Sequence, residues 1–184
     1  MAALLQEGAA VNARNRLGNT ALNLAAQGGH AVAARLLLAR AADANKPNLR
    51  EITPLMGAAF NGSAEVARLL LAAGATVNAE DNTRKTAMVY AAGNGHVEIV
   101  ALLLDHGVPV NQRYHNELTA LMWAAGYGRV EVLRLLLDRG ADPDLRDNRE
   151  KTALQMASEE GHQDAAKLLE ERATPGDRSR RPRQ

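Results

Sequence analysis

The 184-residue sequence contains no cysteine. This absence excludes disulfide bonds, thiolate zinc sites and cysteine nucleophiles, and it leaves the redox compartment unreadable. Aromatic residues make up only 3% of the chain while apolar residues make up 46%, so a core must be built mainly from aliphatic side chains. The formal net charge of +1 gives no indication that the chain as a whole binds polyanions.

A long apolar run is also missing. The longest stretch without a charged residue, 17–34, is interrupted by polar side chains and glycines, so the core of a bilayer would reject it. The first eight residues have neither a basic region nor a long apolar region, so they do not form a signal peptide. We therefore predict no membrane span, and the compartment stays unknown.

An internal repeat dominates the sequence. Leucine runs, alanine pairs and glycines all recur in one register, and so do threonines spaced by 33 residues: Thr20, Thr53, Thr86, Thr119 and Thr152. The pattern of each 33-residue repeat predicts two short helices, because a threonine N-cap begins the first helix and a glycine ends it. The second helix, for example residues 97–104, carries apolar residues at helical spacing.

These helix pairs predict an all-α repeat solenoid. A single pair of this size cannot bury its apolar face, so stacking must create the core, and a helical bundle would not need a strict period. We expect one domain over 1–172 and an Arg-rich, disordered tail over 173–184. The domain begins with a partial repeat at 1–14 and continues with five repeats: 15–47, 48–80, 81–113, 114–146 and 147–172.

The two ends of the array differ. Leu4 and Leu5 fall in register with the second helix of a unit whose first helix is absent. We therefore expect the native chain to extend upstream, in which case any export signal is missing as well. Glu170 stands where earlier repeats have a third leucine, which is typical of a solvent-facing terminal repeat.

Several segments resemble the ankyrin repeat family. They are Gly18-Asn19-Thr20-Ala21-Leu22, Thr53-Pro54-Leu55 and Leu-Leu-Leu-Asp-Arg-Gly-Ala-Asp at 135–142, and the resemblance extends from residue 1 to about residue 172. It implies helix-turn-helix repeats with short β-hairpin turns. The family's glycine two residues before the threonine survives only at Gly18. The other repeats have a residue for which a positive φ is costly: Glu51, Arg84, Glu117 and Glu150.

A catalytic constellation is missing from the sequence. None of the three serines lies in a Gly-x-Ser-x-Gly elbow, and no glycine-rich loop is followed by Lys-Ser or Lys-Thr. His30, His96 and His162 occupy one repeat position, so stacking would hold them too far apart to share a metal. We predict a non-enzyme that has no cofactor, no metal and no small-molecule substrate.

The resemblance implies a concave groove, formed by the hairpin tips and the ends of the first helices, in which the family binds partner proteins. Apolar residues beside cations in this groove would anchor an acidic, hydrophobic peptide. Alternatively, Phe60 and Leu118 cover alanines of the neighbouring repeat, and the sequence leaves both interpretations open. The expected partner-binding residues are Leu49, Arg50, Ile52, Phe60, Lys85, His115, Leu118, Tyr127 and Arg149.

Two further sets of residues keep the register. Tyr90 and Trp123 occupy equivalent positions. One interpretation is a functional aromatic site; we expect them instead to stack within the core, with Gly57 giving Tyr90 room. Asparagines recur in the loops, and we expect each amide to tie the turn before the next hairpin: Asn12, Asn45, Asn78 and Asn111, with Asp144 in the fifth repeat.

We conclude from the sequence that the chain is an interaction scaffold for an unidentified protein or peptide. The alternative is binding of nucleic acid or another acidic surface, assisted by the tail arginines Arg178, Arg180, Arg181 and Arg183. This alternative lacks an aromatic platform for stacking bases. A solvated, solubilising tail explains the same arginines.

Overall fold

The chain divides into two compact units, Met1–Ala91 (unit 1) and Ala92–Gln184 (unit 2). The computed structural model describes residues 10–172. Most of the predicted partial repeat at 1–14 and the whole predicted tail at 173–184 lie outside the described residues, so the expectations about both ends of the chain are untested.

Unit 1 contains α1 (Ala21–Gln27), α2 (Ala31–Leu38), α3 (Pro54–Asn61) and α4 (Ala64–Ala72). The division between the units falls inside α5 (Ala87–Asn94). Unit 2 contains α6 (Val97–Asp105), α7 (Ala120–Gly126), α8 (Val130–Asp138), α9 (Ala153–Glu159) and α10 (Gln163–Arg172), with a 3₁₀ turn at His115–Glu117. Over the described part of the chain, every helix is too short or too polar to cross a bilayer.

The repeated threonines begin the first helix of each repeat. Each threonine hydroxyl accepts a hydrogen bond from the backbone N–H three residues later, in all five repeats. Asn23 and Gln155 complete a capping box by accepting from the backbone N–H of Thr20 and Thr152. The predicted N-caps are confirmed, and each stabilises its helix by about 1 kcal/mol.

Helices pack on the equivalent helices of the next repeat. In unit 1, α1 packs against α3 and α2 against α4; in unit 2, α7 packs against α9, and α8 against α6 and α10. The alanine pairs are buried, which lets the helices approach closely. Each second helix buries at least one leucine; the equivalent residues in the first four are Leu37, Leu70, Leu103 and Leu136, and the last helix buries Leu168 and Leu169. The predicted all-α repeat architecture with an aliphatic core is confirmed in each unit.

Short hairpin turns precede the first helices. The N–H of the first turn residue donates to the carbonyl oxygen four residues later, for example from Asn48 to Ile52 at 3.1 Å and from Asp147 to Lys151 at 3.0 Å. The hairpins are short, with this backbone hydrogen bond joining the two sides of each turn. Residues 10–172 accordingly contain no β-strand. Neighbouring tips also contact each other, since the Leu49 N–H donates to the Leu17 carbonyl oxygen at 3.2 Å.

The fourth residue of every turn has a positive φ, whether or not it is glycine. Gly18 has a φ of 76°, and the non-glycine residues reach similar values: Glu51 58°, Arg84 61°, Glu117 62° and Glu150 62°. This conformation costs a non-glycine residue about 1–2 kcal/mol. The predicted hairpins therefore form in spite of the missing glycines.

A side-chain acceptor at the first turn position holds this conformation. The Oδ1 atom of Asn48 accepts from the N–H groups of Arg50 and Ile52 at 2.9 and 3.1 Å, and Asn15, Asp81 and Asp147 make the same pair of bonds. The fourth turn begins with Tyr114, which has no such acceptor. That turn instead takes the 3₁₀ form, and Asn116 has a positive φ as well.

The loop asparagines bridge consecutive repeats. The Oδ1 atoms of Asn12, Asn45 and Asn111 accept from backbone N–H groups 31 residues later, at 2.9, 2.7 and 2.8 Å. The prediction that each amide ties its own turn was therefore wrong about the partner. The donor is a backbone group of the following repeat, so the amide stabilises stacking.

Candidate interaction surfaces

Exposed apolar side chains concentrate on one part of each repeat. The described residues leave six large apolar side chains exposed, and only Val32, in α2, belongs to a second helix. The other five lie at hairpin tips, in first helices or directly after one: Leu17, Leu24, Leu49, Phe60 and Tyr127. Hairpin tips and first helices therefore carry most of the exposed apolar area of the described residues, and burying this area in a complex would be favourable.

In unit 1 these residues form what we call the unit 1 surface: Leu17, Leu24, Leu49 and Phe60, with the cations Arg50 and Lys85. Leu17, Leu49 and Phe60 are 68%, 63% and 62% exposed. The Leu49 side chain lies against Gly18, where an added Cβ would come within 2.9 Å of its Cγ. Gly18 thus lets two neighbouring hairpin tips approach closely.

Tyr90 links a hairpin to the first helices in unit 1. Its ring meets the Phe60 ring edge-on, with centroids 5.9 Å apart, and Lys85 Nζ lies 5.8 Å from its centroid. Its hydroxyl donates a hydrogen bond to the Asp81 carboxylate. Phe60 thus contacts an aromatic ring of the next repeat and stays largely exposed, and its role in binding stays a prediction.

The Asp81–Tyr90 pair shifts both groups. Burial raises the pKa of Asp81. Hydrogen bonds from Tyr90, from the Lys85 backbone and from Thr83 lower the pKa, and together they outweigh burial, so the pKa lies below the ordinary value. Burial and the hydrogen bond to Asp81 raise the pKa of Tyr90 to about 12. At neutral pH the pair is therefore an ionised acceptor with a neutral donor.

Unit 2 carries a different aromatic pair. The rings of Trp123 and Tyr127 stack with centroids 6.0 Å apart and planes 7° from parallel. Both rings lie close to Gly93, where an added Cβ would be 3.5 Å from Tyr127 and 3.9 Å from Trp123.

The expectation that Tyr90 and Trp123 lie within the core is wrong. Both side chains are only half-buried. The room that was expected for Tyr90 at Gly57 is taken by Gln27, whose Cγ lies 2.9 Å from a Cβ built there. Both aromatics instead contribute to the outer surface of their units.

An open pocket of about 290 Å³ lies beside the Trp123–Tyr127 pair. Its buried or half-buried lining residues are Leu118, Met122, Trp123, Gly126 and Met156. Its exposed lining residues, which we call the rim, are Tyr127, Arg149, Glu159 and Glu160.

One register position explains why this pocket is open. This position holds, at intervals of 33, Gln27, Phe60, Gly93, Gly126 and Glu159. Gln27 covers Gly57, Phe60 packs against Tyr90, and Gly93 is covered by Tyr127. A Cβ added at Gly126 meets nothing within 4 Å. The pocket is therefore the space of a side chain that this repeat lacks.

Two cations of the fifth hairpin, Arg149 and Lys151, have carboxylate partners. Arg149 Nε donates to Asp147 Oδ2 at 2.9 Å, and the Asp147 side chain is 1% exposed. Lys151 pairs with Glu159. Among residues 10–172, Glu160 has no ion-pair partner. In unit 2 the pocket lining therefore carries one arginine and two glutamates.

Asp147 is the counterpart of Asp81 in the fifth hairpin. Burial raises its pKa, but hydrogen bonds from the Lys151 backbone and from the side chain and backbone of Arg149 lower it further, to a net value below the ordinary one. The carboxylate is therefore ionised where it holds the turn together.

The structure brings together some of the predicted partner-binding residues. Leu118, Tyr127 and Arg149 line the pocket, whereas His115 is exposed in the 3₁₀ turn and does not line it. In unit 1, Phe60 and Lys85 flank Tyr90. Leu49 and Arg50 lie at an exposed hairpin tip, and Ile52 is half-buried at the base of that hairpin. Their role in binding stays a prediction.

Sequence reasoning missed several contributors to these surfaces. Leu24, which shares a register position with Tyr90 and Trp123, is exposed, and Gly126 and Met156 line the pocket. The available signal was the alignment of the repeats, which shows a glycine at 126 where Phe60 stands two repeats earlier.

A family model described as ankyrin repeats (3 copies) matches residues 1–81, 33–114, 55–147 and 110–178. A comparison with curated proteins finds no match. The family matches cover nearly the whole chain, and the helix pairs, N-caps and hairpins recur with the same period. The chain therefore belongs to the ankyrin repeat family.

Proposed function

We propose that this chain is a non-catalytic scaffold that binds a partner protein or peptide through the hairpin tips and first helices of its units. Ankyrin repeats are generally protein–protein interaction modules, and the family is typically non-catalytic. The observation that carries the proposal is the placement of the exposed large apolar side chains, five of six on this part of the repeats.

The unit 1 surface supports a partner segment that is apolar and acidic. Leu17, Leu49 and Phe60 offer apolar area whose removal from water favours binding, by about 25 cal/mol per Å². Aromatic anchors such as Phe60 are enriched among the residues that dominate binding energy. Arg50 and Lys85 beside them would attract carboxylates and exclude basic segments.

The test is a selection of displayed random peptides against the full chain, followed by affinity measurements with Phe60→Glu and Leu49→Glu. Because a buried charge would replace an apolar anchor, we expect each variant to weaken binding by about tenfold or more. Val32→Glu makes the same change at an exposed apolar residue of a second helix, and we expect it to leave the affinity unchanged. Circular dichroism verifies that all three variants fold.

Two results would refute the proposal. One is a set of selected peptides whose affinities are unaffected by Phe60→Glu and Leu49→Glu. The other is an equal loss with Val32→Glu, since the binding energy would then not be concentrated on the hairpin tips and first helices.

The alternative, binding of nucleic acid or another acidic surface, rests on arginines that lie outside the described residues. It stays a prediction. Comparing the salt needed to elute the full chain and residues 1–172 from heparin tests it, because binding through these arginines would shift the elution point.

A further inference from the structure

We propose that the unit 2 pocket at Gly126 binds an arginine or lysine side chain of a partner protein. This proposal rests on the proposed scaffold function and specifies the chemistry that one of its surfaces recognises. The two units would then bind partner groups of different charge, because we propose an acidic segment for the unit 1 surface and a basic side chain for this pocket.

The shape of the pocket suits one long side chain. Gly126 leaves empty the space that Phe60 fills in the second repeat, and the resulting opening has a volume of about 290 Å³. Leu118, Trp123 and Met156 give this space an apolar wall. The methylene stem of arginine or lysine packs on such a wall while its charged end reaches the rim.

The charge of the rim selects a cation over an anion. The guanidinium of Arg149 is already bonded to the buried Asp147 carboxylate. Glu159 and Glu160 add two carboxylates, and Lys151 is paired with Glu159 alone. An acidic side chain would meet Glu160 directly, and an apolar one would desolvate the carboxylates without replacing their hydrogen bonds. A cation would complete the pairing and could also lie over the Tyr127 ring.

Trp123 makes the pocket directly observable. It is the chain's single tryptophan, so selective excitation of tryptophan reports on this wall. The full chain is titrated with N-acetyl-arginine amide, with N-acetyl-citrulline amide as its neutral analogue and with N-acetyl-norleucine amide as the apolar analogue. We expect a saturable emission change with arginine, of about millimolar affinity because the probe is small. Binding of both analogues should be about five- to tenfold weaker.

Variants locate the binding to the pocket. Gly126→Phe should abolish the response to arginine, because the new ring occupies the space, whereas Gly126→Ala should retain it, since a Cβ there meets nothing within 4 Å. Glu160→Gln should weaken arginine binding about threefold or more and leave norleucine binding unchanged. This variant removes only a charge at an exposed position, so it keeps the test decisive if Gly126→Phe misfolds.

The proposal is overturned if arginine gives no saturable change, if citrulline or norleucine binds as well as arginine, or if Gly126→Phe folds and binds normally. Any of these results would leave the scaffold function standing, because that function is tested on Phe60 and Leu49 in unit 1. Conversely, the scaffold proposal would fail if Phe60→Glu and Leu49→Glu left peptide affinity unchanged. That result would not alter the tryptophan emission change expected with N-acetyl-arginine amide.

Discussion

Units 1 and 2 share one helical framework and present different surfaces. In both units a threonine caps each first helix and a buried leucine anchors each second helix. At one register position, however, unit 1 has Phe60, which packs against Tyr90, while unit 2 has Gly126, which leaves a pocket beside Trp123. The comparison shows that one side chain on the first helix can change the shape of the surface while the core stays the same.

The charges of the two surfaces diverge as well. In unit 1, Arg50 follows the exposed Leu49 at a hairpin tip, Lys85 lies 5.8 Å from the centroid of the Tyr90 ring, and Asp81 is buried. In unit 2, Arg149 is paired and the glutamates of α9 and the residue after it lie at the pocket rim. This difference in charge is why we propose an acidic partner segment for unit 1 and a basic side chain for unit 2.

The largest effect should come from the shared framework. Leu70→Ala and Leu136→Ala remove equivalent, fully buried side chains in unit 1 and unit 2. We expect each to lower the free energy of unfolding by about 2–5 kcal/mol, because each leaves a cavity. Denaturant unfolding measures both values. The exposed residues Arg68 and Arg134 occupy matched control positions, where alanine should cost about 0.5 kcal/mol or less. A small loss in one unit alone would show that the frameworks are not equivalent.

An intermediate effect should distinguish the two buried hairpin aspartates. Asp81→Asn keeps an acceptor for the turn, as Asn48 does, but places an amide N–H group opposite the Tyr90 hydroxyl. We expect a loss of about 1–2 kcal/mol, since a donor is left unsatisfied. Asp147→Asn likewise places an amide N–H group opposite a donor, the Arg149 Nε–H, but the largely exposed Arg149 can turn to water, so about 0.5 kcal/mol is expected. Denaturant unfolding at neutral pH measures both, and equal losses would show that Tyr90 contributes nothing at Asp81.

Asp81 and Asp147 make the free energy of unfolding depend on pH in the acid range. Hydrogen bonds hold the pKa of both aspartates below the ordinary value in the folded chain, so they bind protons less tightly there than in the unfolded chain. Their stabilisation is present above the unfolded pKa and is lost as the pH falls through the folded pKa. The free energy of unfolding should therefore decline below about pH 4, and each asparagine variant should show a shallower decline. An unchanged slope in both variants would contradict this origin.

The smallest effects concern the register position that separates the surfaces. Phe60→Ala should cost about 1 kcal/mol, because the ring is largely exposed and loses mainly its edge contact with Tyr90. Gly126→Ala should raise the free energy of unfolding by about 0.5–1 kcal/mol, since alanine is the better helix former and meets open space. Thermal and denaturant unfolding measure both changes. A loss above about 3 kcal/mol with Phe60→Ala would instead place this ring in the core.

The sequence predicts the framework well because its signals are local and periodic. Thr53 with Pro54, and the glycine that ends each first helix, define helix ends without reference to neighbouring repeats. The hairpins without glycine were also within reach, since an asparagine or aspartate stands three residues before Glu51, Arg84 and Glu150. Its two backbone hydrogen bonds hold the positive φ.

The surfaces were harder to predict because they depend on which side chain covers which. Gly57 suggested room for Tyr90, but the long side chain of Gln27 occupies that room. Gly126 carries no side chain to attract notice, and its pocket exists only in relation to Trp123 and Met156. A repeat pattern fixes backbone positions, while the direction of long side chains depends on contacts between repeats.

The asparagine bridges have a consequence for how such chains change length. In each described case the acceptor is a side-chain amide and the donor is a main-chain N–H group at the same separation of 31 residues. The identity of the donor residue is therefore irrelevant, with proline as the one exception. Duplication or deletion of a whole period keeps these amides 31 residues from a main-chain donor, whereas a shorter insertion changes that separation. Asn78 is the exception, because the residue 31 positions after it is Pro109. The tolerated step of expansion and contraction is thus a full repeat.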